Sequence, residues 1–180
     1  SGTTLKNYSI NFQYPLCNVR MVGEFAYSGQ QQYSLLQSGA TSISKKMDLS
    51  YLFRIYSAGY FSPKSNGLSE NSENLNEIGL FLGHGHQLSK RFKLSSYFDY
   101  YRFPGPKYQV NESNTSGWEI LSRLQYEKRK AMRLFLQGKW TRKEAKDLIQ
   151  ASLDGHYLAL TSWDFHFRAM ASKLGSDLGY

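Results

Sequence analysis

The residues whose types could carry chemistry are few, and their spacing limits what they can do. His84 and His86 stand two apart in Gly83-His84-Gly85-His86, a spacing that places both imidazoles on one face of a strand, as a metal site would need. No third or fourth ligand lies near them, and glycines at the alternate positions equally suit a strand with one small face. His156 and His166 are isolated in the sequence, although His166 shares one side of an alternating segment with Asp164 and Arg168. That placement suits a polar network better than a catalytic dyad. Ser162, Asp164 and His166 include the residue types of a nucleophilic triad, but neither their spacing nor the glycines around them resemble a nucleophile elbow. Gly83-x-Gly85 and Gly138 lack the following helix and the Lys-Ser/Thr of a phosphate loop. The single cysteine, Cys17, offers neither a disulfide framework nor a CxxC pair. No catalytic set, metal or cofactor is therefore expected.

Charge gives a second lead. Lys and Arg number 22 against 14 Asp and Glu, a net charge of +8, which suits nucleic acid, anionic lipid headgroups or an acidic ligand. The basic runs are Lys90-Arg91-Phe92-Lys93, Lys128-Arg129-Lys130 and Arg142-Lys143-Glu144-Ala145-Lys146, with Glu127 and Glu144 beside them. All fall at expected turns, where Lys and Arg meet headgroups and keep hairpins soluble, so no nucleic-acid binding is assigned to them. Aromatic residues make up 16% of the chain, which excludes a disordered, charge-dominated tail.

The elements that must position these residues are strands. Polar and apolar residues alternate with period two, so that successive side chains go to opposite faces. Tyr8, Ile10, Phe12 and Tyr14 open the series, followed by Val19 to Tyr27, Met47 to Ile55, Ile78 to Leu82, Phe92 to Tyr100, Trp118 to Tyr126, Met132 to Trp140 and Trp163 to Ala169. Weaker strands fit 33–39 and 148–154, about ten in all, with no convincing long helix between them. Tight turns are expected at Pro15–Asn18, Gln87–Lys90, Lys128–Lys130 and Asp154–His156. Two long polar loops, Tyr60–Asn76 and Phe103–Gly117, are expected to be mobile and to lie outside the sheet.

Such alternation suits a soluble sandwich or ligand-binding barrel with its apolar face inward. It equally suits the reverse, a membrane β-barrel with its apolar face toward lipid. Four features favour the second. Charges of both signs recur on the opposite face; segments reach the 9–11 residues of a tilted membrane strand; aromatic residues stand at strand ends; and long loops alternate with tight turns. No apolar run reaches the roughly 20 residues of a spanning helix. On this reading residues 1–180 form a single barrel domain or a segment of a larger barrel. The residues expected to line its lumen are Arg20, Glu24, Arg54, Glu77, Arg91, Lys93, Asp99, Glu119, Arg123, Arg133, Lys139, Asp164 and Arg168. Tyr14, Tyr27, Tyr100, Trp118, Tyr126 and Trp140 are expected to form an aromatic girdle. The opening Ser1-Gly2, with no initiator Met and no charged-then-apolar leader, leads us to expect a secretion signal already removed or outside these residues.

The stretch from Arg54-Ile55-Tyr56-Ser57 to Asn76-Glu77-Ile78-Gly79-Leu80-Phe81-Leu82-Gly83 resembles the barrel region of large outer-membrane proteins of Bacteroidetes-type bacteria that carry an N-terminal helix-hairpin-helix domain. Leu94 to Pro104, with Ser95-Ser96-Tyr97-Phe98-Asp99-Tyr100-Tyr101-Arg102-Phe103 between, continues the likeness, as do Tyr108-Gln109-Val110, Ser116-Gly117-Trp118-Glu119 and Asp164-Phe165-His166-Phe167-Arg168. It spans roughly residues 50 to 170, and its most specific part is Tyr97–Pro104. The resemblance implies an outer-membrane barrel segment with a soluble domain upstream and further strands beyond both ends. No helix-hairpin-helix sequence is present, and the family brings no catalytic residues. The expected protein is thus an all-β, antiparallel up-and-down transmembrane barrel of the bacterial outer membrane. It is non-enzymatic, acts in transport or envelope assembly, and has outer-membrane lipid, lipopolysaccharide and other envelope proteins as partners. An outer-membrane lipid-modifying enzyme and a soluble barrel for an apolar ligand remain the alternatives.

Overall fold

The computed structural model of the protein describes residues 6–28, 31–60, 68–70, 75–105, 114–128, 131–144, 146–160 and 163–176. Ten strands follow one another in chain order. They are β1 (Asn7–Leu16), β2 (Val19–Ser28), β3 (Gln32–Ser44), β4 (Met47–Tyr56), β5 (Glu77–Gln87), β6 (Phe92–Phe103), β7 (Thr115–Lys128), β8 (Met132–Lys143), β9 (Lys146–Leu160) and β10 (Trp163–Ser176). All belong to one antiparallel sheet in which each strand neighbours the next in sequence. No helix occurs among the described residues. The order begins at β1 and ends at β10 without pairing the two, so among the described residues the sheet is open and is not a closed barrel.

Period-two patterning predicts every one of these strands. The two that alternate weakly, at 33–39 and 148–154, become β3 and β9, of 13 and 15 residues. Both are interior to the sheet, with a hydrogen-bonded neighbour on each side, and two ladders hold a strand whose own patterning is poor. One expected turn is corrected. Asp154-Gly155-His156 lies inside β9, with Asp154 opposite Arg168, Gly155 opposite Phe167 and His156 opposite His166. The glycine there is not a turn signal: the Phe167 ring lies where a Cβ of residue 155 would stand. Close approach of a neighbour is the other common reason for glycine in a strand. Phe12 lies over Gly23, its partner across β1 and β2, in the same manner.

Connections in such a meander alternate between the two ends of the sheet. Cys17-Asn18, Lys45-Lys46 and the connection at 88–91 therefore share one end, and those at 57–76 and 104–114 share the other. Much of the two long loops expected at Tyr60–Asn76 and Phe103–Gly117 lies outside the described residues. The residues just before β5 and β7, Asn76 and Asn114, take left-handed backbone with φ of 53° and 74°. Asparagine enters that region more readily than most residues.

By their contacts the residues fall into two compact units. The first comprises the described residues of Ser1–Thr41, Ser50–Leu82 and Asp99–Gly117, the second those of Ser42–Leu49, Gly83–Phe98 and Trp118–Tyr180. In the first, Ala26, Tyr56 and Tyr60 are buried together, with Leu36 against them, and the Tyr101 and Phe103 rings pack 5.6 Å apart. In the second, the Trp118 and Trp140 rings meet edge-on at 4.7 Å and those of Phe92 and Tyr126 at 4.9 Å.

Candidate functional site

The strongest polar arrangement in the first unit grows from the alternation of three strands. Arg54 on β4, Glu77 on β5 and Asp99 on β6 each occupy the buried row of their strand. The Arg54 and Glu77 side chains are fully buried. Arg54 Nε donates to Glu77 Oε1 at 2.6 Å, while Nη1 and Nη2 donate to the two Asp99 carboxylate oxygens at 2.8 and 3.1 Å. This fork onto a carboxylate is the strong form of a charge-assisted hydrogen bond. Glu77 Oε2 accepts from Ser69 Oγ at 2.8 Å and from the Glu70 backbone N–H at 2.9 Å. The Tyr56 hydroxyl donates to the Leu68 carbonyl at 3.1 Å. Residues 68–70 of the β4–β5 connection are thereby tied to the buried charges. Glycine at 79 leaves room for the cluster, because a Cβ there would stand against Arg54 Cζ and displace the guanidinium.

The opposite rows of β5 and β6 carry exposed apolar side chains, whereas Tyr51, Phe53 and Ile55 on β4 are half-buried and the β6 row also carries the exposed Arg102. Ile78, Leu80 and Leu82 on β5 are 37%, 38% and 45% exposed, and Tyr100 on β6 is 41% exposed. Charge inside and hydrocarbon outside is the reverse of what water selects in a soluble domain.

Asn76 forms the second junction of this unit. It is buried, its N–H donates to the Ser57 carbonyl at 3.1 Å, and its side-chain amide exchanges two hydrogen bonds with Gly105. Asn76 Nδ2 donates to the Gly105 carbonyl at 3.0 Å, and the Gly105 N–H donates to Asn76 Oδ1 at 2.7 Å. One side chain thus joins the β4–β5 connection to the β6–β7 connection.

In the second unit Glu119 on β7 gathers three donors: Lys139 Nζ at 2.8 Å, Thr141 Oγ1 at 3.1 Å and the Tyr97 hydroxyl. Arg123 donates to Gln137 Oε1 through Nε and Nη2 at 2.9 and 2.6 Å, and Arg133 lies 3.4 Å from Glu127. Farther along, Arg168 pairs with Asp154. His156 Nε2 is 2.5 Å from Asp164 Oδ1, and His166 Nε2 is 3.3 Å from the same oxygen. Asp154, His156, His166 and Arg168, with Arg123 and Arg133, border a groove of about 770 Å³.

The residues expected to line a lumen are therefore unequally placed. Arg54, Glu77 and Asp99 form one cluster, and Glu119 and Lys139 belong to another. Arg123, Arg133 and Arg168 border the groove, with Asp164 among its histidines. Glu24 is half-buried, whereas Arg20, Arg91 and Lys93 are exposed and join none of these clusters. Of the expected girdle, Tyr14, Tyr27, Tyr100 and Trp140 are between 40% and 44% exposed, and Trp118 and Tyr126 are half-buried. Ser162, the nucleophile of the triad weighed from the sequence, lies outside the described residues. His84 and His86 stand ring to ring at 6.0 Å, edge-on.

Sequence reasoning missed the approach of His156 to Asp164 and His166, because Asp154–His156 reads as a turn. The usable signal is the His–Phe–Arg alternation of 166–168 against Asp–Gly–His at 154–156, which pairs well once both are strands. It also missed Tyr97 and Thr141 as partners of Glu119, and Ser69 and Glu70 as partners of Glu77; these depend on which strands are neighbours. Comparison with known proteins adds nothing to this geometry: no family model, no curated protein and no solved structure matches the chain.

Proposed function

We propose that the chain is a lipid-facing antiparallel β-barrel, or a segment of one, in a bacterial outer membrane, non-catalytic and acting in transport or envelope assembly. The observation that carries this reading is the contrast between the buried charges of β4, β5 and β6 and the exposed apolar side chains of β5 and β6. The Arg54–Glu77–Asp99 cluster is buried while Ile78, Leu80, Leu82 and Tyr100 on the same strands are exposed. A soluble sheet that left such a row in water would forgo about 25 cal/mol for each Å² of apolar surface it failed to bury, and would bury charges at a cost. In a bilayer both terms reverse, because lipid takes the apolar row and a polar interior takes the charges. Strand lengths of 10 to 15 residues meet the span of a tilted membrane strand. The likeness of residues 50–170 to outer-membrane barrel regions points the same way. In lipid the free edges of β1 and β10 cannot stay unpaired; they would close on each other or on further strands.

The test is a heat-modifiability gel of the protein refolded with and without detergent micelles, with circular dichroism to report β content. The expected result is a compact, faster-migrating β-rich species that forms only with micelles. A monodisperse β-rich monomer in plain buffer would overturn the reading in favour of a soluble barrel.

A further inference from the structure

We propose that His156, Asp164 and His166 form a binding site for a divalent transition-metal ion of the zinc class, open to the arginine-bordered groove of the second unit. The proposal concerns one hairpin and does not rest on the membrane reading.

The site is built by register. His156 on β9 and His166 on β10 are direct partners across the antiparallel pair, which brings their rings to 4.5 Å between centroids. Asp164 stands two residues before His166 and so shares its face. The register slips between Trp163 and Asp164, an irregularity of the kind that re-aims a side chain at a strand end. One potential ligand atom from each of the three residues lies within 4.8 Å of the others. Four-coordinate zinc at its usual bond lengths places neighbouring ligand atoms about 3.4 Å apart. Asp164 Oδ1 stands 3.3 Å from His166 Nε2, close to that value, and 2.5 Å from His156 Nε2, which a small side-chain rotation would open to it.

The donor set selects the class of ion. Two imidazoles and one carboxylate suit Zn²⁺, Ni²⁺ or Cu²⁺, whereas Mg²⁺ and Ca²⁺ prefer all-oxygen sites. Three protein ligands leave at least one position open, the arrangement that lets a metal accept a water or an external ligand. Two of the three ligands, His156 and His166, line the groove that Arg123, Arg133 and Arg168 also border. The guanidinium of Arg168 is already engaged by Asp154, and that of Arg123 by Gln137, so both are held in place beside the site. A carboxylate or phosphate group is the natural external ligand of a cation flanked in this way.

The experiment uses the full chain in whichever medium, micelles or plain buffer, keeps it folded. The chelator-treated protein is titrated with Zn²⁺ by calorimetry and with Co²⁺ by visible absorption. We expect saturable binding of an ion at this site and a Co²⁺ spectrum of low coordination number. His156→Ala and Asp164→Asn should each weaken binding about 100-fold, since loss of a ligand costs at least as much as loss of an outer partner, about 10–100-fold. The His84→Ala/His86→Ala double variant should leave this affinity unchanged. Asp164→Asn preserves size and shape, and circular dichroism with gel mobility verifies that each variant is folded. A folded Asp164→Asn or His156→Ala variant with the parent's affinity would overturn the proposal. So would absence of binding to the parent, or loss of binding on removing His84 and His86.

Discussion

Replacing Arg54 tests the inverted arrangement of charge and hydrocarbon most directly. In Arg54→Ala, Glu77 and Asp99 lose three charge-assisted hydrogen bonds of 2.6, 2.8 and 3.1 Å in a site where the arginine side chain is fully buried. Breaking a buried pair by removing one partner costs about 3–5 kcal/mol, because the remaining charge stays desolvated. At about 1.4 kcal/mol per factor of ten, the folded-to-unfolded ratio should fall between about a hundredfold and a few thousandfold. Were the same residues on a wetted surface, the loss would be at most about 1 kcal/mol. Equilibrium urea unfolding of parent and variant in the same medium, followed by tryptophan fluorescence, measures the difference. A second substitution separates packing from charge. Gly79→Ala drives a Cβ into the Arg54 guanidinium without deleting any charge, and overpacking of that kind costs about 1–3 kcal/mol. The neutral triple variant Arg54→Met/Glu77→Gln/Asp99→Asn should recover most of the Arg54→Ala loss, since replacing all partners of a buried ion pair is often nearly neutral. An Arg54→Ala effect below about 1 kcal/mol would refute the reasoning.

Three further outcomes follow from the same geometry. Asn76→Ala removes both amide bonds to Gly105 and places alanine at a φ of 53°; we expect a loss of about 2 kcal/mol and faster proteolysis within 104–114, and unchanged cleavage would contradict the junction. Cys17 is exposed in the β1–β2 turn, at the end of the sheet where the described connections are short. On the proposed membrane reading, in which short turns face the periplasm, a membrane-impermeant maleimide should label it only after the outer membrane is permeabilised, and labelling of intact cells would contradict that placement of the turn. Trp140 is 44% exposed and lies in the expected girdle. In a Trp118→Phe/Trp163→Phe background its fluorescence should be quenched by brominated lipid far more than by aqueous iodide, and the opposite ranking would place that face in water.

The ten strands were legible in the sequence because a strand writes its own period: side chains two apart share a face, and the contrast between Ile78, Leu80, Leu82 and their neighbours Glu77 and Gly79 needs no tertiary knowledge. Arg54, Glu77 and Asp99 were legible as residues of one face for the same reason. Their union in one cluster was not, because it depends on β4, β5 and β6 being consecutive neighbours in the sheet and on Gly79 leaving room for the guanidinium. The limit of local reading is clearest at Asp154-Gly155-His156. By composition it is a turn, yet the ring of Phe167 from the adjoining strand fills the space over Gly155 and the ladder carries the chain straight through. That long-range pairing sets His156 opposite His166 and beside Asp164. The sequence by itself therefore determined the strands, their faces and the types of charge each face bears. The tertiary structure decided which charges meet, because register across hydrogen-bonded strands is fixed by partners far apart in the chain.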